Sequence, residues 1–386
     1  MESLSAVKCA DRYFCSQIFF MKLHDLIAAI ESFAPLPLQE NYDNAGLITG
    51  DPNMDITSAI LCVDATEEVI NEAIHHHCNL VIAHHPIIFS GLKKITGSNY
   101  VERTIIKAIK HDIAIYATHT NLDNVRSGVN SKICEKLQLI NTRILAPLPD
   151  KLRKLFTFVP NEFAARVRQS LFDEGAGTIG NYDECSFNAE GYGTFRAGGE
   201  SNPFVGEKGI QHREPETKVE VIFPSWLQSK IISALKKSHP YEEVAYDVVP
   251  LSNEWEQAGA GMIGELEQPM PANEFLKFLK EKMNVNIIRH TKAADDHSKL
   301  TTVAVCGGAG SFLLKQAISA GAQAFVTGDF KYHQLFDAEG KIMICDIGHY
   351  ESEQFTPEII AEVLKKKFPN FATRFTSVNT NPINYF

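Results

Sequence analysis

Asn79-Leu80-Val81-Ile82-Ala83-His84-His85-Pro86 is a short apolar run that stops on two imidazoles and a proline. An unbroken apolar segment of this length predicts a strand over 79–83, buried on both faces of a sheet. Upstream, 67–77 carries Val69, Ile70 and Ala73 at helical spacing, and 58–63 is another compact apolar run of strand length. Downstream the cycle repeats, with a helix predicted over 101–110, a strand over 113–117 and a helix over 129–137. Strands alternating with helices of this length imply parallel βαβ units with both sheet faces covered. In such sheets the functional residues gather just beyond the carboxyl ends of the strands.

The same alternation returns late in the chain, with strands over 301–306, 324–327 and 342–345 and helices over 312–320 and 359–367. The middle reads differently. Strands over 155–160, 191–195, 217–223 and 246–250, with helices over 164–172 and 227–237, predict a small α+β sandwich of ferredoxin-like type. A Gly-rich polar loop runs through it from 196 to 211. The expected architecture is therefore a split three-layer α/β domain with a mostly parallel sheet, over 22–150 and 253–386, interrupted by an inserted α+β domain over 151–252. Residues 1–21 form an extension of no assigned role.

Composition bounds the function classes. The 386 residues are 44% hydrophobic and 22% charged, which fits a globular chain of more than one domain's length and excludes a largely disordered one. Lys and Arg number 37 against 47 Asp and Glu, a formal net charge of −10. That balance disfavours nucleic-acid backbones and anionic lipid as partners. No stretch is long and apolar enough to span a bilayer, and residues 13–20 make a poor signal peptide. The eight cysteines show no C-x-x-C pair and read as reduced thiols in a cytoplasmic protein.

Three strand ends carry chemistry. His84-His85-Pro86 closes the first; adjacent strand residues face opposite ways, so both imidazoles serve one site only if the backbone bends there. Neutral imidazole is a good ligand for zinc, iron, manganese or nickel. Thr118-His119-Thr120-Asn121-Leu122-Asp123 leaves the next strand with another imidazole and a carboxylate. Gly348-His349-Tyr350-Glu351-Ser352-Glu353 follows a late strand, and His349 and Glu353, four apart, share a face of one helical turn. Each alone has an ordinary explanation as a solvent-facing, turn-forming or helix-capping group. Their coincidence at equivalent strand ends points to one metal site.

Other features carry less. His75, His76 and His77 sit at a helix end, where imidazolium complements the dipole. Cys306-Gly307-Gly308-Ala309-Gly310-Ser311 has two readings, a backbone cradle for phosphate or close strand-to-helix packing. Asp329 and His333 follow a strand and offer an outer partner for a ligand or a general acid/base. Residues 40–47 read as a polar turn.

Taken in order, Tyr42-Asp43-Asn44-Ala45-Gly46-Leu47, His84-His85-Pro86, Thr118-His119-Thr120-Asn121-Leu122-Asp123, Gly307-Gly308-Ala309-Gly310 and Gly348-His349-Tyr350-Glu351-Ser352-Glu353 resemble the Nif-three-like proteins, the GTP cyclohydrolase type 2 homologues. The family motif usually starts with Trp where this chain has Tyr42. The middle segment, ending His239-Pro240-Tyr241-Glu242-Glu243-Val244-Ala245-Tyr246, resembles the CutA-like or P-II-like domain inserted in longer members.

The resemblance implies a dinuclear centre of two divalent ions per subunit, held by His84, His85, Asp123, His349 and Glu353, the metal being zinc, manganese, iron or nickel. It implies a homohexamer. It also implies a hydrolase whose metal-activated water attacks a nucleotide, with GTP opened at C8 and formate released, and with His119 or His333 moving protons. The alternative expectation is a non-catalytic metal-binding regulatory protein that uses its inserted domain to sense a ligand or partner.

Overall fold

The computed structural model describes residues 20–293 and 299–386; most of the expected N-terminal extension lies outside the described residues. The described residues divide into two compact units, one of 20–34, 42–119 and 356–382, the other of 35–41, 120–293, 299–355 and 383–386.

The first unit is built on a five-stranded sheet in the order Ala372–Phe375, Ser58–Asp64, Leu80–His85, Ala114–Ala117, Gly46–Thr49. The first three pairings are parallel and the last is antiparallel. Ile60, Cys62, Val81, Ala83 and Ile115 pack against Val69, Ile70, Ala73, Ile105 and Ala108 of the helices Glu67–His75 and Tyr100–Lys110. Alternate residues Ala59, Leu61, Leu80, Ile82 and Tyr116 are buried as well. Helix Thr356–Lys367 packs on those strands, with Leu23–Phe33 beside it. Burial of both faces is why these strands read as continuous apolar runs. Their carboxyl ends deliver Asp64, His85 and the 118–119 segment to one edge.

In the second unit the order is Arg289–His290, Met343–Asp346, Ala324–Gly328, Lys299–Ala309, Trp255–Pro271, Leu139–Leu148. Only the two pairings centred on Ala324–Gly328 are parallel; the others are antiparallel. The expectation of a mostly parallel sheet therefore holds for the first unit and not for this one, and the two runs of alternation build two sheets. The reason lies in the path of the chain. It leaves along Leu139–Leu148 and returns antiparallel to that strand along Trp255–Pro271, with Leu148 and Trp255 as Cα partners.

Between those partners lies a βαββαβ sandwich, with strands Leu152–Pro160, Phe187–Arg196, Gln211–Pro224 and Tyr246–Leu251 and helices Ala164–Asp173 and Gln228–Ser238. All its strand pairings are antiparallel, and the sheet order puts the fourth strand beside the first, then the third, then the second. That is the ferredoxin-like arrangement. Leu155, Val159, Val219, Val221 and Phe223 meet Val167, Leu171, Ile231 and Leu235 in its core. No helix among the described residues is long and apolar enough to cross a membrane.

Candidate metal centre

In the first unit, His84 ends buried, and the side chain of His85 is 15% exposed. The strand stops at His85, before Pro86, and the two rings lie 4.9 Å apart at 43°. His119 joins them, its ring 5.4 Å from each. One ring nitrogen from each of the three lies within 4.8 Å of the others, an arrangement that can hold a metal ion.

What orients the rings is common to all of them. His84 Nδ1 lies 2.9 Å from the Thr118 carbonyl. His85 Nδ1 lies 2.7 Å from Asp64 Oδ1, and His119 Nδ1 lies 2.7 Å from Asp43 Oδ1. A carbonyl or carboxylate only accepts, so each Nδ1 carries the proton and donates, which leaves the Nε2 lone pair for a ligand. Asp64 stands at the end of the neighbouring strand, opposite His85 in the parallel ladder. Burial raises its carboxyl pKa. The hydrogen bond and charge of His85 and the Thr380 hydroxyl outweigh burial and hold it below the ordinary carboxylate range.

The second unit supplies a further set. His349 and Glu353 lie on the short helix His349–Glu353, with Nε2 3.3 Å from Oε2. Asp329 Oδ2 sits 2.8 Å from His349 Nδ1 and fixes the same tautomer. A lone pair on Nε2 against a carboxylate oxygen is repulsive unless a proton or a cation lies between them. The side chain of Glu353 is 3% exposed. Gly308 gives it room: at φ +63°, a Cβ there would lie 2.5 Å from Glu353 Oε1. Asp123 belongs to this unit too. A carboxylate oxygen of Asp123 lies within 4.8 Å of one of Glu353, and burial, together with the charges of both, pushes the Cys306 thiol far up.

Residues 21–382 match the family model for Duf34/NIF3 (NGG1p interacting factor 3). The chain belongs to that family. It is 39% identical over 366 residues to a Bacillus subtilis (strain 168) protein named GTP cyclohydrolase 1 type 2 homolog, covering 93% of this chain and 97% of that protein. A Halalkalibacterium halodurans protein of the same name is also 39% identical, with 93% and 98% covered. The crystal structure of a Bacillus cereus protein related to NIF3 superposes with a TM-score of 0.83 at 38% identity, over 96% of this chain and all of that one. Staphylococcus aureus protein SA1388 gives a TM-score of 0.75 at 29% identity, over 95% and 99%.

In this Duf34/NIF3 protein the remaining candidates fall as follows. His333 is exposed, with its ring against Tyr332. His75 and His76 stack edge-on at a helix end. The glycine-rich run continues the strand Lys299–Ala309, and the N–H groups of its three glycines are taken. Gly307 N donates to Asn130 Oδ1, Gly308 N to Ser352 Oγ and Gly310 N to Thr327 Oγ1. That engagement supports the packing reading over the phosphate cradle. Asp43 and Asp64 are the residues that sequence reading missed; the strand-end position of Asp64 was the available signal.

Proposed function

We propose that the chain is a metal-dependent hydrolase acting on a nucleotide-like small molecule, GTP first, and that His84, His85, Asp123, His349 and Glu353 hold two divalent ions. The observation that carries this reading is the shared tautomer: four imidazoles are each tied at Nδ1 to an acceptor, three of them carboxylates. Such outer carboxylates raise the basicity of a metal-ligating histidine. Imidazole with carboxylate suits zinc, manganese, iron or nickel. A divalent ion held there would supply a water acidified toward neutral pH.

His119 is the proton carrier in this reading. Asp43, its side chain fully covered, holds Nδ1–H and would stabilise the imidazolium when Nε2 takes up a proton. The relatives' printed name, GTP cyclohydrolase 1 type 2 homolog, supports a nucleotide substrate. The proposed assembly is a homohexamer, and the proposed kinship of the sandwich is with CutA and P-II domains.

The test is metal-replete protein incubated with GTP, with formate and loss of guanine absorbance followed together. His85→Ala and Glu353→Ala are expected to lose metal and turnover together. His119→Ala should keep its metal and lose about 100-fold or more in kcat. Replete protein inert toward GTP, other nucleotides and phosphodiesters would sink the hydrolase reading. A second reading, a non-catalytic metal-binding regulator, is favoured by one observation: the inserted sandwich offers none of the donors yet has a cavity of its own. Metal retained with no turnover on any of those substrates is its expected result.

A further inference from the structure

The sandwich has two faces, and its helices cover only one. Leu155, Val159, Val219, Val221 and Phe223 point to the helices, so Phe158 and Glu216, of opposite parity, face away from them. Gly193 and Phe195 share the face of Glu216 through the pairing of Glu216 with Gly191. Over this uncovered face the segment after Arg196 folds back. Asn202 N donates to Glu242 Oε1, and the Phe204 ring stacks between Phe163 and Tyr241. The result is a cavity of about 540 Å³, within the roughly 300–1,000 Å³ of small-molecule sites.

Its chemistry is specific. Phe158, Phe195, Phe204 and Tyr241 supply ring surface, and the lining carries the carboxylates of Glu216, Glu242 and Glu243 against one guanidinium, Arg196. Glu216 is buried, at 6% exposure. Its Oε1 accepts from the Tyr241 hydroxyl at 2.9 Å, and burial, with that carboxylate beside it, pushes the phenol pKa up so that it remains a donor. Oε2 lies against Gly193, where a Cβ would meet it at 2.1 Å, so only glycine leaves that oxygen its place. His239 braces the turn. It donates from Nε2 to the Phe158 carbonyl and accepts the Tyr241 N–H at Nδ1. Burial lowers its pKa, which favours this neutral form.

We propose that this cavity binds a small organic cation, an ammonium or amidinium group seated on Glu216 with a flat apolar body against the rings. A buried carboxylate favours a positive partner that hydrogen-bonds to it, and aromatic faces attract cations. The excess of acids in the lining repels anionic ligands. The site is independent of the metal reading.

The probe is benzamidine, a planar aromatic amidinium, titrated calorimetrically into the full-length protein. Benzoate, of the same shape and opposite charge, is the control. Saturable benzamidine binding is expected, with benzoate at least about 10-fold weaker and Glu216→Gln at least about 10-fold weaker for benzamidine. Phe204→Ala, which removes an exposed ring, should weaken benzamidine several-fold. Absence of saturable benzamidine binding overturns the proposal, as do benzoate binding equally well and unchanged affinity in Glu216→Gln. Should Glu216→Gln fail to fold by circular dichroism, Phe204→Ala decides alone, and unchanged affinity there overturns it.

Discussion

A carboxylate accepts hydrogen bonds and donates none, so Asp64, Asp43 and Asp329 decide which nitrogen of His85, His119 and His349 carries the proton. Asp329 offers the cleanest test of that control. Its backbone is left-handed, at φ +58°, a conformation asparagine tolerates, so Asp329→Asn removes charge without adding strain. We expect metal affinity about 10- to 100-fold weaker, measured by competition with a chromogenic chelator, and an unchanged melting temperature. Gly308→Ala should act from the other side of Glu353. The added methyl would crowd Oε1 and force an unfavourable φ, so metal content by mass spectrometry should fall, with about 1 kcal/mol or more of lost stability. Histidines and acids at strand ends were legible because the βαβ rule says where to look. The pairing of Asp64 with His85 was not, because it depends on ladder register, and that of Asp43 with His119 spans 76 positions of chain.

Helix Tyr100–Lys110 shows an element fixed by its first turn. Asn99 Oδ1 accepts from Glu102 N, closing the N-terminal cap. The Glu102 carboxylate in turn accepts from the Ser98 and Thr96 backbone N–H groups and both hydroxyls, which holds its pKa down to about 2. The unfolded value is about 4.3. A lowered folded pKa contributes stability that is present above the unfolded value and lost as pH falls through the folded one. Glu102→Gln should therefore melt a few degrees below wild type at pH 7, the gap narrowing below about pH 4.3 and closing near pH 2, by calorimetry across pH. A gap independent of pH would reject the ionic cap. The regular helices and buried strands were legible from their apolar spacing. Trp255–Pro271 was not, because its register shifts between Trp255 and Gly259 and again between Ile263 and Glu265, and such bulges erase the period of two that marks a strand.

At the scale of the molecule, the insertion is a branch on one hairpin-like pair. Leu148 and Trp255 are neighbouring partners on antiparallel strands, so everything from 149 to 254 can leave without separating the ends it joined. The sequence predicts an inserted domain over 151–252, and the βαββαβ order read from it is the order of the observed elements. It does not show the antiparallel pair that carries it, since periodicity assigns no element to Leu139–Leu148 or Trp255–Pro271. A chain in which residues 149–254 are replaced by a short Gly-containing turn of two to five residues, the length that closes such pairs, tests the modular reading. The sandwich has its own core, and its loss strips the Trp226 ring, 5.1 Å away, from Trp255 at the start of one strand of the six-stranded sheet. Full metal content per chain is expected in the shortened protein, with benzamidine binding abolished. Loss of both together would mean that the sandwich stabilises the metal-bearing strands as well as binding on its own account.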